Sequence, residues 1–108
     1  MAKAELKIEK QNEGCVIVGV VYSSLSEAEA LEHLDELEFL ATTAGAVTQK
    51  HFLQKLPMPN PKTYVGSGKL IEIQEYINKN NIELVIFDDE LSPSQLRNIE
   101  AGLECKVL

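Results

Sequence analysis

The sequence contains no tryptophan, three tyrosines, three phenylalanines and two cysteines. So little cysteine excludes a disulfide-stapled scaffold. Cys15 and Cys105 both sit in apolar stretches, so free buried thiols in a reducing compartment are expected. Neither CxxC nor HExxH occurs, which removes two common redox and metal signatures. No apolar segment follows a basic start, and the longest apolar run, Cys15 to Tyr22, is far too short to cross a bilayer. A cytoplasmic protein with no membrane span is the expectation. Catalytic groups are scarce as well. Ser23, Ser24, Ser26 and Ser92 form no G-x-S-x-G elbow, and His33 and His51 have no obvious partner and are read as surface residues. Without a nucleophile or a general base, no enzymatic activity is expected of this chain.

One stretch lacks acids altogether. The net charge of −7 argues against a nucleic-acid partner, because phosphate binding draws on clustered lysine and arginine. The distribution weakens that argument. Residues 1–38 carry −6 and residues 72–108 carry −5, whereas the 33 residues from Phe39 to Ile71 carry +4, with Lys50, Lys55, Lys62 and Lys69 and no aspartate or glutamate. His51 lies in the same stretch, so Lys50, His51 and Lys55 form a second candidate basic patch.

What remains is ordinary globular composition. At 108 residues, 44% hydrophobic and 25% charged, one domain is expected, burying about two-thirds of the surface its unfolded chain exposes. Residues 1–14 read as a polar N-terminal arm or an edge strand, and 15–108 as the domain. Cys15–Tyr22 is continuously apolar and β-branched, the mark of a strand covered on both faces, and Gly19 within it suggests close approach by a helix. Ser26 and Glu29 make a capping box before a helix whose apolar positions run through Leu34 and Leu37 to Ala44, with Gly45 as its stop and an acidic, solvated outer face. Val47–Lys55 alternates imperfectly and reads as a half-exposed edge strand. Pro57, Pro59 and Pro61 then forbid helix and ladder alike. A helix over Lys69–Asn80 follows Gly66-Ser67-Gly68. A buried strand over Glu83–Asp88, a capping box at Ser92 and Gln95 with Pro93 at the first helical position, a third helix and a short strand from Cys105 complete the chain. The βαβαβαβ order predicts an α/β/α three-layer fold with a four-stranded parallel sheet. Two buried strands and one edge strand favour the order 2-1-3-4, with a switch point between strands one and three.

Ligands of such sheets sit beyond the carboxyl ends of the strands. Three loops share that rim: Tyr22 to Ser24, the Pro-rich loop with Gly66–Lys69, and Asp88-Asp89-Glu90. Two glycines, a helix N-terminus and Lys69 suit an anion, although Thr63 and Leu70 stand where a Walker A motif needs glycine and Ser or Thr. Asp88 and Asp89 are weak candidates for Mg²⁺, the plainer reading being a turn. A third reading pairs Lys69 with one of those carboxylates.

Pro59-Asn-Pro-Lys-Thr-Tyr-Val-Gly-Ser-Gly-Lys69, followed by Val85-Ile-Phe-Asp-Asp-Glu-Leu-Ser-Pro-Ser-Gln-Leu-Arg-Asn98, resembles the N-terminal domain of the HflX family of translational GTP-binding proteins. Both motifs are long, specific and in the family's order, and the likeness runs from about residue 14 to the end. The family's glycine-rich segment falls on Gly66, Ser67, Gly68 and Lys69, where members often carry a lysine in the place of Ser67. The resemblance implies an excised N-terminal domain, with the helical and GTPase domains, and their GTP and Mg²⁺, elsewhere in the parent chain. It also implies binding to rRNA of the large (50S) ribosomal subunit, a part in ribosome splitting or rescue, and contacts that modulate the GTPase domain. Lys62, Tyr64, Gly66, Ser67, Gly68 and Lys69 are the expected phosphate, RNA or interdomain contacts, with no cofactor in this chain. The alternatives are a nucleotide-binding domain with weak NTPase activity through Gly66–Lys69 and Asp88 or Asp89, and a rim that only docks neighbouring domains.

Overall fold

The computed structural model describes residues 13–22 and 25–108. Strands and helices alternate as β1 (Glu13–Val21), α1 (Glu27–Thr43), β2 (Ala46–Lys55), α2 (Ser67–Asn80), β3 (Leu84–Phe87), α3 (Pro93–Leu103) and β4 (Lys106–Val107). All neighbouring strands are parallel and the order is β2-β1-β3-β4, as the strand burial pattern predicts. Residues 1–12 of the expected arm, and Ser23 and Ser24, lie outside the described residues. Glu13 and Gly14 are not arm but the first residues of β1, paired with Ala46 and Val47.

β1 is buried along its whole length because both of its faces meet helices. Cys15 and Ile17 pack with Leu34, Leu37 and Ala41 of α1. Val16, Val18 and Val20 point the other way, into a larger cluster with Ile73 and Ile77 of α2 and Ile99 and Leu103 of α3. This produces three layers, and it explains why β1 reads as a continuous apolar run instead of an alternating one. Gly19 is the notch for α1: a Cβ there would lie 2.9 Å from Leu34 Cδ2. Both cysteines are free thiols, Cys15 buried and Cys105 half-buried, and burial pushes both upward, Cys105 to about 11.

Local signals set the helix ends. The Glu29 N–H donates to Ser26 Oγ at 3.1 Å, and the Ser26 N–H to Glu29 Oε1 at 3.3 Å. Gly45, at φ 104°, turns the chain out of α1 where a side chain would be strained. Asn81 caps α2 in the left-handed conformation at φ 52°. α2 begins two residues before the expected Lys69, with Gly66 as its N-cap, so Ser67 and Gly68 belong to the helix and not to a loop. β3 and β4 are shorter than expected, though Leu108 extends the last pairing through its N–H to the Val85 carbonyl at 2.9 Å.

β2 departs most instructively. Its pairing with β1 shifts between Cys15 and Val16, whose partners are Thr48 and Lys50, so Gln49 is an inserted residue. Before this bulge Ala46 and Thr48 face α1; after it His51 and Leu53 do, while Phe52 joins the cluster under α2. A one-residue insertion moves every later side chain to the other face, which is why the sequence alternates imperfectly.

Leu34→Ala is expected to lower unfolding free energy in urea by about 2–5 kcal/mol, since a rigid central strand cannot close over the cavity. Gly19→Ala is expected to destabilise the protein in the same urea titration, and to cost less in the Leu34→Ala background, where the clashing methyl is gone.

Candidate functional site

The carboxyl rim is built on a loop that the prolines start and a tyrosine finishes. Asn60 and Tyr64 pair across a tight turn: the Asn60 N–H donates to the Tyr64 carbonyl at 2.9 Å, and the Tyr64 N–H to the Asn60 carbonyl at 2.8 Å. The Asn60 Oδ1 accepts from the Lys62 N–H at 2.8 Å and the Thr63 N–H at 3.2 Å, an asparagine turn that stands in for a backbone one. Tyr64 adopts φ 67°, uncommon for a bulky residue and costing about 1–2 kcal/mol. Burial offsets this. Tyr64 is 3% exposed, Val65 is 0% exposed, and the Tyr64 ring meets Phe87 edge-on at 5.6 Å.

Three amide side chains tie the loop to the layers around it. The Gln54 Oε1 of β2 accepts from the Gly66 N–H at 2.8 Å. Gln95 of α3 uses both ends of its amide. Its Oε1 accepts from the Ser92 N–H at 2.9 Å, completing the capping box, and its Nε2 donates to the Asn60 carbonyl at 2.8 Å. The Asn98 Nδ2 donates to the Lys62 carbonyl at 3.0 Å. The Lys62 main chain is thus held at its N–H and at its carbonyl while its side chain is exposed. Met58, 67% exposed, stands on the same loop.

Of the expected contact residues, Lys62, Ser67 and Gly68 are exposed, whereas Tyr64 is in the core. A Cβ on Gly68 would meet nothing within 4 Å, so packing does not require glycine there. The Lys69 Nζ pairs with Glu72 Oε1 on its own helix at 3.2 Å, not with the Asp88-Asp89-Glu90 turn. In that turn the Asp89 Oδ1 accepts from the Glu90 N–H at 2.8 Å and the Oδ2 from the Tyr22 hydroxyl at 3.2 Å, joining the ends of β1 and β3 at the switch point. Asp88 continues the sheet, its N–H donating to the Val18 carbonyl at 2.8 Å. The Asp89 carboxylate raises the Tyr22 phenol above its ordinary value of 10.0, with partial burial adding to it. Burial first, then the charges of Asp89 and Asp88, holds Tyr64 protonated well beyond that value. Both phenols therefore stay protonated at neutral pH, and the Asp89 carboxylate is engaged by Glu90 and Tyr22.

The second basic patch is divided by the alternation of β2, which sends Lys50 and His51 to opposite faces, and the bulge at Gln49 decides that Lys50 meets α2 and His51 meets α1. The Lys50 Nζ lies over the rings of Phe52 at 5.3 Å and Tyr76 at 5.6 Å, in a groove of about 320 Å³ between β2 and α2 that Gly68, Ile71 and Glu75 also line. His51 faces α1, where its Nε2 lies 2.6 Å from Glu38 Oε1. Lys55 is exposed at the rim end of the strand. His51 is therefore paired, not a lone surface residue. Sequence reasoning missed this pair and the anchors Gln54, Gln95 and Asn98. The bulge has no residue signature that would reveal the first, and of the others only the capping box at Ser92 and Gln95 gave a signal.

Gln95→Glu keeps the cap acceptor but removes the donor to Asn60 and sets a carboxylate against its carbonyl. A loss of about 1–3 kcal/mol in chemical denaturation is expected, against little change for Glu29→Gln in the equivalent box of α1.

A family model described as GTP-binding GTPase N-terminal matches residues 31–108. A GTPase HflX of Flavobacterium psychrophilum is 50% identical over 96 residues, 89% of this chain and 23% of that protein. The GTPase HflX of Lacrimispora saccharolytica is 40% identical over 95% of this chain and 24% of its own length, and that of Escherichia coli is 35% identical over 82% and 21%. The chain spans about a quarter of the length of these relatives. Among the described residues no helix is long and apolar enough to cross a membrane. The rim motifs, the sheet order and these matches converge, and the chain belongs to the HflX family, corresponding to the N-terminal domain of its GTP-binding proteins.

Proposed function

We propose that this chain is the ribosome-binding and GTPase-regulating domain of a GTP-hydrolysing parent, acting in the cytoplasm on the large ribosomal subunit during ribosome splitting or rescue. The parent's other domains carry GTP, Mg²⁺ and the hydrolytic chemistry; this domain contributes no catalytic group. The observation that carries the reading is Lys62. Its main chain is fixed by Asn60 and Asn98 while its ammonium is free to reach outward from a loop without acids. A cation on a preorganised loop loses little entropy on meeting a phosphate, and such contacts set position and register on RNA. Exposed Lys55 supports it from the same end of the sheet. The acidic outer surface of α1 would turn away from rRNA, which gives the domain one orientation on the subunit. The helical and GTPase domains of the parent would rest against the remainder of the rim.

The nucleotide-binding alternative has less support. Lys69 is drawn onto Glu72, the Gly66 N–H is spent on Gln54, and both Asp89 oxygens have partners.

Lys62→Glu is expected to weaken association of the parent protein with large ribosomal subunits in sedimentation binding, and to reduce the dependence of log K on log salt by about one contact. Glu72→Gln, which frees Lys69, is expected to strengthen binding or leave it unchanged. Identical affinity and salt slope for Lys62→Glu and the parent sequence would remove the RNA role of the loop.

A further inference from the structure

The outer edge of the sheet holds a constellation that the ribosomal reading does not use. Asp35 and Glu38 lie one turn apart on α1, and the Gln49 bulge turns His51 of β2 toward them. One ligand atom from each of the three lies within 4.8 Å of the other two, and His51 Nε2 is 2.6 Å from Glu38 Oε1. This is no loose acidic surface: an imidazole carried on a strand is directed into a pair of carboxylates carried on a helix. One imidazole cannot balance both. Between Glu27 and Thr43 α1 has six acids and no lysine or arginine, so nothing on that helix neutralises the excess.

We propose that Asp35, Glu38 and His51 form a binding site for a divalent first-row metal ion, which clips α1 to the edge strand. Two carboxylates and a neutral imidazole bring a charge of −2, which a dication cancels. Nitrogen with oxygen donors suits zinc, and three protein ligands leave room for water in the remaining position. Ligand atoms around a common tetrahedral ion at about 2.0–2.2 Å stand roughly 3.3–3.6 Å apart. The His51–Glu38 pair, at 2.6 Å, opens by about 1 Å to admit an ion, and the Asp35 carboxylate, exposed at the surface, lies within 4.8 Å of both. In the absence of metal the His51–Glu38 contact keeps the two ligands together. The strand and the helix supply the rigidity, so little order remains to be imposed on binding.

The test uses this 108-residue chain, with Zn²⁺ as the probe in isothermal titration and thermal melting. One Zn²⁺ per chain is expected, with a melting temperature that rises as Zn²⁺ is added. His51→Ala and Asp35→Asn should each weaken Zn²⁺ by more than about tenfold, a cost that losing even an outer-shell partner can reach. Asp35 is exposed, so the metal-free melt of Asp35→Asn should match that of the parent sequence. His33→Ala and Cys105→Ser should leave Zn²⁺ affinity unchanged. No heat at millimolar Zn²⁺, equal affinity in Asp35→Asn, or loss through His33 or Cys105 instead would overturn the assignment.

Discussion

The rim depends on one buried ring. Tyr64 enters the core against Phe87, and to do so its backbone takes a left-handed conformation that a bulky residue otherwise avoids. The two hydrogen bonds with Asn60 close the turn that this conformation requires, and Val65 follows Tyr64 inward. Everything that distinguishes the loop follows from that insertion. The prolines before it bar helix and sheet pairing, the amides of Gln54, Gln95 and Asn98 engage the backbone it leaves outside, and Lys62 is carried on the turn's outer side. Most of the segment from Pro59 to Lys69 is therefore spent on holding a shape.

That division of labour changes what the net charge means. A total of −7 describes a chain whose acids are concentrated on α1 and in the last third. The acid-free middle third does not form one basic face, because strand alternation puts the neighbours Lys50 and His51 on opposite faces of β2, toward α2 and α1, and Lys69 is balanced by Glu72. Lys62 and Lys55 remain as exposed cations toward the rim end of the sheet. The exposed lysines are thus confined to one part of a rim that also carries the acidic Asp88-Asp89-Glu90 turn, on a body that is acidic along α1.

Much of this was legible in the sequence. The two capping boxes, at Ser26 with Glu29 and at Ser92 with Gln95, are local signals and appear where the residues placed them. The sheet order followed from burial: β1 had to be central because it has no polar face, and β2 had to be an edge because it has one. What escaped depends on contacts distant in the chain. A glycine at 66 gives no sign that its amide will meet Gln54, so the residues alone point to a start of α2 two positions beyond the true one. Tyrosine beside lysine and glycine looks like a ligand contact until the fold turns it inward. His51 looked unpaired because its partner Glu38 reaches it only through a bulge of one residue.

The Asn60–Tyr64 turn is part of the folded core and not a loop that orders on binding. Amide hydrogen exchange on the isolated chain tests this most directly. The N–H groups of Asn60, Tyr64 and Gly66 are expected to exchange with protection comparable to that of β3 amides, because their hydrogen bonds open only when the core does. Exchange of these three at the rate of an unstructured peptide, beside a protected β3, would contradict it.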